Sequence, residues 1–357
     1  MDKISIGKRN IGFDEQVYFI ADIAANHDGE LSRAKDLIYL AAESGADAAK
    51  FQHFTADTIV SDYGFKLLGG QIAHQEKWDK SVVEIYRAAS IDLNWTRILK
   101  DTCDEAGITF LTSPYSIELV DSVDEFIPAY KIGSGDITWH SILHHIASKG
   151  KPILLATGAA TLDEVKLAVS ILLEKNKKLI LMQCNTNYTN SAENFKHINL
   201  RVLQTYRNMF PGLPLGLSDH TSGHATVLGA VSLGACVIEK HFTDDTKRKG
   251  PDHVFSMDPQ SWHDMVDRAR ELQLALGDGV KRIEENEKES AVVQKRALRY
   301  ARPMSKGSTV SDSDLLSLRP IPEGGLPPYK IDVVRKKKLQ KDVVAGDCVC
   351  IKDFEVC

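Results

Sequence analysis

Two histidines stand at matching places in the sequence, each at the end of a short apolar run. His220 follows PLGLSD, and His241 ends ACVIEKH. Imidazole nitrogens are common ligands of divalent metal ions, so two of them at the ends of neighbouring strands could hold one ion. A single histidine is more often structural than a ligand, and it is the pairing that favours a metal site.

Two lysines occupy the corresponding parts of other apolar runs. Lys50 lies in ADAAKFQ and Lys131 lies in AYKIGS. Lysine supplies a compact positive charge and hydroxyls add short hydrogen bonds, so such a set suits a phosphate-bearing anion. A lysine in a buried strand can equally be half of a structural ion pair. The polar residues that share these run ends are Asp22, Gln52, Ser113, Ser134, Asp136, Thr157, Asn187, Tyr188 and Ser218.

A regular alternation of apolar runs and amphipathic patterns positions these residues. Helical spacing occurs in four of the intervening segments, and alternating strands and helices favour parallel strands joined by right-handed crossovers. The eight predicted strands are 17–24, 46–52, 109–114, 129–134, 152–157, 179–184, 214–219 and 235–241. The four predicted helices are 31–45, 94–107, 161–175 and 261–276.

Eight such units predict an α/β fold, a closed (β/α)8 TIM barrel, because they fit the roughly 250 residues typical of that fold. An open doubly wound sheet is the alternative, but no GxGxxG follows the first predicted strand. The active site of a TIM barrel lies at the carboxyl ends of its strands. The polar run ends described above are therefore the predicted site.

Two stretches of the barrel region depart from the alternation. Residues 1–14 alternate in polarity and predict a small hairpin with its turn at Lys8, Arg9 and Asn10. Residues 58–91 form a long insertion after the second strand, and a loop of that length is usually functional or carries its own short elements. His53 and His74 flank or lie in this insertion and could line the pocket.

The sequence pattern changes after the barrel, from alternating apolar runs and helices to short predicted strands. We predict a barrel domain over residues 1–279, a charged linker over 280–294 and a small, mostly β domain over 295–357. The formal charge of −5 excludes general nucleic-acid binding. Six scattered cysteines, no secretory leader and no apolar run long enough to span a bilayer predict a cytoplasmic protein with no membrane partner.

An ordered set of strings carries a resemblance to a known family. IADIAANHDG, GADAAKFQ, FLTSPYS, AYKIGSGD, LLATGAAT, GLSDHTSG and IEKHFTDD with GPDHVFSM resemble the N-acetylneuraminate (sialic acid, nonulosonic acid) synthase family. The tail containing SLRPIPEGG resembles that family's antifreeze-like, or SAF, domain. The resemblance implies a TIM barrel followed by a SAF domain in a domain-swapped homodimer. It also implies that phosphoenolpyruvate condenses with an N-acylated aldose to give a nine-carbon 2-keto acid and phosphate.

The resemblance assigns roles to individual residues. His220 and His241 match the ligands of Mn²⁺ or Mg²⁺, and Lys50 and Lys131 match the lysines that bind phosphoenolpyruvate. Asp22 stands where the family usually has Glu, with Asp136 as the alternative base. The remaining predicted substrate contacts are Gln52, Ser113, Ser134, Thr157, Asn187, Tyr188, Ser218, Asp252 and the SAF-domain Arg319.

Three other functions remain open from the residues. The chain could be a Schiff-base aldolase that uses Lys131 or Lys50. It could be a non-catalytic sugar- or phosphate-binding barrel. Phosphoenolpyruvate-condensing synthases of seven- or eight-carbon acids are a nearer alternative, but they lack the SAF tail. The sequence also leaves open which N-acylated hexose is used and whether it carries a 6-phosphate.

Overall fold

The computed structural model describes residues 4–68, 75–76 and 78–354. Its packing divides the chain into two compact units, Met1–Gly277 and Asp278–Cys357. The strands are β1 (Ile4–Ile6), β2 (Arg9–Ile11), β3 (Tyr18–Asp22), β4 (Ala48–His53), β5 (Thr109–Pro114), β6 (Tyr130–Ile132), β7 (Ile153–Ala156), β8 (Leu179–Cys184), β9 (Leu215–Asp219), β10 (Ala235–His241), β11 (Ala297–Tyr300) and β12 (Leu315–Leu318). The α-helices are α1 (Leu31–Glu43), α2 (Ala56–Ile59), α3 (Asp62–Leu67), α4 (Val82–Ala89), α5 (Trp95–Glu105), α6 (Ile117–Val123), α7 (His140–Ser148), α8 (Leu162–Lys175), α9 (Val202–Met209), α10 (Ala225–Ser232), α11 (Pro259–Leu276) and α12 (Lys288–Gln294).

Strands β3 to β10 form a closed parallel barrel in sequence order, with β10 pairing back to β3. The predicted TIM barrel is therefore confirmed, and the open sheet is excluded. Three strands, β5, β8 and β10, have the bounds that the sequence predicts. The others are shorter at one or both ends or, like β4, shifted along the chain by a residue or two.

The period-two alternation of each strand separates an outer apolar layer from an inner one. Outward side chains such as Phe51 and Leu155 pack in one cluster with the helices. Inward side chains near the start of most barrel strands, such as Tyr18 and Leu154, form a second apolar cluster. Nearer the carboxyl ends of the strands, one or two inward positions further along, the inward-facing residues are polar. Lys50 is an example. The barrel interior is thus apolar at one end and charged at the other.

The N-terminal hairpin closes the apolar end of the barrel. Strands β1 and β2 pair antiparallel, and their isoleucines belong to the same cluster as the inward barrel residues. The turn lies at Gly7 and Lys8 rather than at the predicted positions 8–10, and Arg9 is already in β2. Gly7 has a φ of +58°, and a Cβ there would lie 2.9 Å from the Thr109 hydroxyl. Both the turn and the close approach therefore require glycine.

Side-chain caps fix the start of several barrel helices. Thr161 and Glu164 form a reciprocal capping box at the start of α8. Asp258 does the same with Ser261 before Pro259, the first residue of α11. These caps satisfy backbone N–H groups that have no partner inside the helix.

The predicted insertion 58–91 folds into α3 and α4, with α2 at its start. The predicted linker 280–294 contains α12, whose side chains are mostly exposed. In the C-terminal unit β11 and β12 pair antiparallel over an apolar cluster of its own. Isolated bridges supply most of the remaining pairing there. Among the described residues, we find no helix with the length and apolar character needed to cross a membrane.

Candidate active site

A cavity of about 370 Å³ lies at the carboxyl ends of the barrel strands. Each barrel strand contributes at least one inward-facing residue to its lining, which is why the strand-end rule finds the site. In strand order these residues are Asp22, Lys50, Ser113, Lys131, Ala156, Cys184, Ser218 and Glu239.

Two buried lysine–carboxylate pairs form the floor of the cavity. Lys50 Nζ donates to Asp22 Oδ2 at 2.7 Å, and Lys131 Nζ lies 3.0 Å from Glu239 Oε1. The same Glu239 oxygen accepts from the Ser218 hydroxyl at 3.1 Å and lies 4.0 Å from Lys50 Nζ. Two ammonium groups and two carboxylates therefore make one network. Because the charges balance, the lysines can be buried before any substrate binds.

The two carboxyl groups of this network differ in proton affinity. Burial raises the pKa of Asp22, and the negative charge of Glu239 adds to this while Lys50 opposes it. Burial would also raise the pKa of Glu239, but Lys131 and Lys50 outweigh it and hold the pKa at about 2. Glu239 is thus the fixed anion, and Asp22 is the better proton acceptor. For Lys50, burial lowers the pKa, but Asp22 and Glu239 outweigh it, so the pKa is raised and the amine stays protonated.

The histidine pair lies at the rim of this network. The rings of His220 and His241 have centroids 5.3 Å apart, and the ring of Phe255 packs edge-on against both. His220 Nδ1 lies 2.9 Å from the backbone carbonyl of Asn185. That contact fixes the proton on Nδ1 and leaves Nε2 with a free lone pair, the usual arrangement of a metal-ligating histidine.

The donors of this pair fit a divalent ion. Burial lowers the pKa of both His220 and His241 to about 3, and for His241 the positive charge of Lys50 adds to this, so both rings are neutral ligands at neutral pH. His241 Nδ1 is buried without a hydrogen bond and lies 3.9 Å from Asp252 Oδ2, while Nε2 of the same ring lies 3.5 Å from Asp22 Oδ2. The described residues contain no group of three or more His, Cys, Asp or Glu side chains spaced to enclose a metal. An ion here would keep open positions, as catalytic sites do.

Other polar atoms in the cavity also have no hydrogen-bond partner within the described chain. The Ser113 hydroxyl and Glu239 Oε2 are both buried in this state. Buried polar atoms are normally satisfied, so these are positions where a bound substrate or water would make the missing bonds.

The structure gathers most of the predicted site residues into this one cavity. Asp136 is among them, and burial raises its pKa to about 6. The predicted residues that line the cavity are Asp22, Lys50, Gln52, Ser113, Lys131, Ser134, Asp136, Tyr188, Ser218, His220, His241 and Asp252.

Two predicted residues of the barrel unit, Thr157 and Asn187, do not line the cavity. Thr157 donates its hydroxyl to the carbonyl of Met182 and accepts from Tyr206, so it serves the barrel wall. Asn187 is exposed, and its side-chain oxygen accepts from Thr189 within the same loop. Arg319 belongs to the C-terminal unit, Asp278–Cys357.

The sequence analysis assigned no role to several lining residues. Glu239 stands two residues before His241 on β10, so strand alternation alone predicts that both side chains face inward. Tyr115 and the rings of Phe54, Trp78 and Tyr86 also line the cavity. The three rings come from the insertion or its approach, where no periodic pattern marks them.

His53 and one further lysine have structural roles. His53 is fully buried outside the cavity, with one ring nitrogen against Thr96 and the other against Thr112. His74 lies outside the described residues. Lys240 faces the outside of the barrel and forms a buried ion pair with Asp219 at 2.5 Å. Lys240 is thus a strand lysine that forms half of a structural ion pair, the alternative that the sequence analysis considered for buried lysines.

Comparison with known proteins gives consistent matches. The NeuB family model matches residues 37–281. The chain is 35% identical over 344 residues to the N,N'-diacetyllegionaminic acid synthase of Legionella pneumophila, covering 95% of this chain and 94% of that protein. It is 31% identical over 347 residues to the N-acetylneuraminate-9-phosphate synthase of Homo sapiens, covering 96% and 93%. The solved structure of an N-acetylneuraminic acid (sialic acid) synthetase from Leptospira borgpetersenii in complex with citrate has a TM-score of 0.71 at 28% identity, covering 81% of this chain and 95% of that one.

Proposed function

Because this chain belongs to the NeuB family, we propose that it condenses phosphoenolpyruvate with an N-acylated aldose to a nine-carbon 2-keto sugar acid and phosphate. The relatives named above are synthases of acids of this class. The observation that carries the proposal is the pair of buried lysines, Lys50 and Lys131, beside the histidine pair in one cavity.

The lysines suit the phosphoenolpyruvate end of the reaction. This substrate brings a carboxylate and a phosphate, and two protonated lysines in a low-dielectric floor offset those charges. The unpartnered Ser113 hydroxyl adds a short hydrogen-bond donor to the same region. Because both amines are already ion-paired before substrate arrives, their positions are fixed in advance.

The histidines suit the aldose end. His220 and His241 would hold Mn²⁺ or Mg²⁺, which when bound supplies Lewis-acid polarisation of the aldehyde oxygen. In the overall change, C3 of phosphoenolpyruvate bonds to the aldehyde carbon and water adds to C2. Phosphate then leaves by cleavage of the C2–O bond. Asp22, whose pKa burial raises, accepts the proton of that water, with Asp136 as the alternative base.

The electrostatics of the floor weigh against a Schiff-base aldolase. A lysine nucleophile must lose its proton, which enzymes achieve by lowering the pKa of the amine. Asp22 and Glu239 do the reverse for Lys50, since they raise its pKa. Lys131 is likewise held by a carboxylate, at 3.0 Å.

The assembly forms part of the same proposal. We infer a SAF domain over 295–357 after a linker at 280–294, in a domain-swapped homodimer that brings Arg319 to the acyl group of the sugar. An arginine fork offers several donors to a carbonyl acceptor. Mixing an inactive Arg319→Ala chain with an inactive His220→Ala chain should restore some activity after subunit exchange. No recovery despite demonstrated exchange would contradict the swapped arrangement.

The central test is a phosphate-release assay with phosphoenolpyruvate and a panel of N-acylated hexoses. We expect release that depends on the sugar and on a divalent cation, and that is lost in Lys131→Met. Borohydride treatment in the presence of a keto substrate provides the control for the rival mechanism. A stable adduct on Lys50 or Lys131, or activity that needs no phosphoenolpyruvate, would contradict the proposal.

A further inference from the structure

Two loops at the mouth of the barrel are joined by side chains that the proposed chemistry does not use. Residues 23–30, which we call the β3 loop, follow β3, and residues 242–258, the β10 loop, follow β10. These two strands pair with each other where the barrel closes. The β10 loop carries Asp252 into the cavity and packs Phe255 edge-on against both rings of the histidine pair. The position of the β10 loop therefore decides the shape of the cavity beside the histidines.

Asp28 is the centre of the contacts between the two loops. His253 Nε2 donates to Asp28 Oδ1 at 2.9 Å. Arg248 donates to Asp28 Oδ2 through Nε at 3.1 Å and through a terminal nitrogen at 2.9 Å. Arg33 Nε, from α1, lies 3.1 Å from the same oxygen and also donates to the backbone carbonyl of Asn26. One carboxylate of the β3 loop thus binds both a histidine and an arginine of the β10 loop.

The His253 side of this contact is closed to solvent. The residue is 0% exposed, and its Nδ1 lies 2.7 Å from the Thr243 hydroxyl. Gly250 packs against the same ring, since a Cβ there would lie 2.6 Å from His253 Cδ2. A buried N–H that loses its acceptor is costly, so the Nε2 group needs Asp28. The position of His253, and with it that of the adjacent Asp252, therefore depends on Asp28.

Further hydrogen bonds connect the β3 loop to the cavity side of the β10 loop. Asp252 Oδ2 accepts from the backbone N–H of Ala25 at 3.1 Å, and the backbone carbonyl of Asp252 accepts from the Ser256 hydroxyl at 2.7 Å. The Asn26 amide donates to that hydroxyl and to the carbonyl of Phe242, both at 2.9 Å. The stretch between these two ends is the part that Asp28 anchors.

We propose that Asp28 is a positioning residue that sets the aldose end of the cavity, by anchoring the β10 loop through His253 and Arg248. This rests on the proposed function, because the histidine pair marks the aldose end only if the condensation is the reaction. Asp28 is not among the described residues that line the cavity, so its effect reaches a substrate through Asp252 and Phe255.

The phosphoenolpyruvate end should be insensitive to the same anchor. The floor lysines are held by carboxylates of the barrel strands, Asp22 and Glu239, and not by the β10 loop. Loss of the anchor should therefore affect the two substrates differently, which a general loss of folded protein does not.

The first test compares Asp28→Asn with Asp36→Asn in the phosphate-release assay. Asn tolerates the φ of +51° at position 28, so backbone strain is not the variable. Asp36 lies on α1 and is exposed, which makes its variant the matched control. We expect Asp28→Asn to raise KM for the sugar about 10-fold, the usual order of effect when a partner that orients a site residue is lost. KM for phosphoenolpyruvate should not change.

The pattern of the kinetic constants separates positioning from stability. A smaller folded fraction lowers the apparent kcat and changes neither KM. Equal kinetics in the two variants, a change in kcat alone, or an equal rise in both KM values would overturn this inference and leave the proposed function standing. No release from the natural protein with any sugar would overturn both.

Variants of His253 separate the hydrogen bond from the bulk of the side chain. His253→Gln can still donate to Asp28 and should keep KM for the sugar close to that of the natural protein. His253→Leu fills the space without a donor and should resemble Asp28→Asn. If both variants raise KM equally, the donor does not hold the loop and the proposal is wrong.

Hydrogen exchange measures the anchoring without any substrate. In Asp28→Asn the backbone amides of residues 244–256 should exchange faster than in the natural protein, while those of the barrel strands keep their rates. Asp36→Asn should match the natural protein in both regions. Thermal melts verify that each variant is folded. Unchanged exchange in the β10 loop would overturn the proposal whatever the kinetics show.

Discussion

Replacing Glu239 by Gln should destabilise the free protein and make its stability depend more strongly on phosphoenolpyruvate. Glu239 is the anion that both floor lysines share, and Gln keeps its shape without its charge. We expect the free energy of unfolding to fall by about 3 kcal/mol, since breaking a buried ion pair costs roughly 3–5 kcal/mol. The substrate supplies replacement negative charge and should recover part of that loss.

The magnitude follows from two distances. Glu239 Oε1 lies 3.0 Å from Lys131 Nζ and 4.0 Å from Lys50 Nζ. At an effective dielectric constant of about 20, the shorter contact corresponds to an attraction of about 5 kcal/mol. Lys50 keeps Asp22 as a partner, and the amide of Gln can still accept from Ser218. The lower end of the expected range is therefore the appropriate figure, and it lowers Tm by about 6–12 °C.

The assay is thermal and urea unfolding of both proteins with and without phosphoenolpyruvate. The increase in Tm on adding substrate should be larger for Glu239→Gln than for the natural protein. Lys131→Met and the double variant complete a mutant cycle. The double variant should be more stable than Glu239→Gln alone, because no buried ammonium is left without its carboxylate. Equal stability of Glu239→Gln and the natural protein, or strictly additive losses in the cycle, would refute the shared-anion reasoning.

Three further predictions concern other parts of the molecule. A chelator should abolish activity and Mn²⁺ should restore it, and His220→Ala should lose Mn²⁺ binding measured by calorimetry; unaltered binding would contradict the ligand assignment. Burial lowers the pKa of His53 to about 4, so the unfolded chain takes up a proton first and stability falls as the pH drops from about 6.5 to 4, by up to about 1.4 kcal/mol per pH unit. His53→Leu should reduce the slope of the unfolding free energy against pH over that window, with His220 and His241 supplying the slope that remains, and an identical slope would refute this. Gly7→Ala should cost about 1–2 kcal/mol in urea unfolding because of its positive φ and the nearby Thr109 hydroxyl, whereas Gly12→Ala, which has room for a Cβ, should cost much less.

Strand alternation explains what the sequence could predict of the site. Lys50, Lys131 and His241 could be placed because each lies inside or at the end of a clear apolar run. Thr157 follows β7, whose inward residues are Leu154 and Ala156, so its position already points its side chain away from the cavity. That signal was present in the sequence and was overlooked. Glu239 was overlooked in the same way, since its position two residues before His241 predicts a side chain that points into the cavity.

The loops explain what the sequence could not predict. Asn187 lies in an irregular segment where no period fixes the direction of a side chain. The apolar lining residues Phe54, Trp78, Tyr86 and Ala89 lie up to 35 positions apart along the chain, and only tertiary packing brings them to one cavity. The hairpin turn moved by one residue because Gly7 tolerates a left-handed conformation and packs against Thr109. Local patterns do not contain that contact.

The ion pair of Asp219 and Lys240 has a consequence for the two residues that follow it. These partners are paired across β9 and β10, and each directly precedes a histidine of the rim. A slip of one residue between the strands would part the ion pair and at the same time move His220 and His241 to different heights. The relative height of the histidines is therefore held from the opposite face of the sheet, by residues that never meet a substrate. We expect substitutions at Asp219 and Lys240 to occur together, with both charges exchanged or both lost. A substitution of only one of them would disturb the positions of His220 and His241, although neither outer side chain touches the rim.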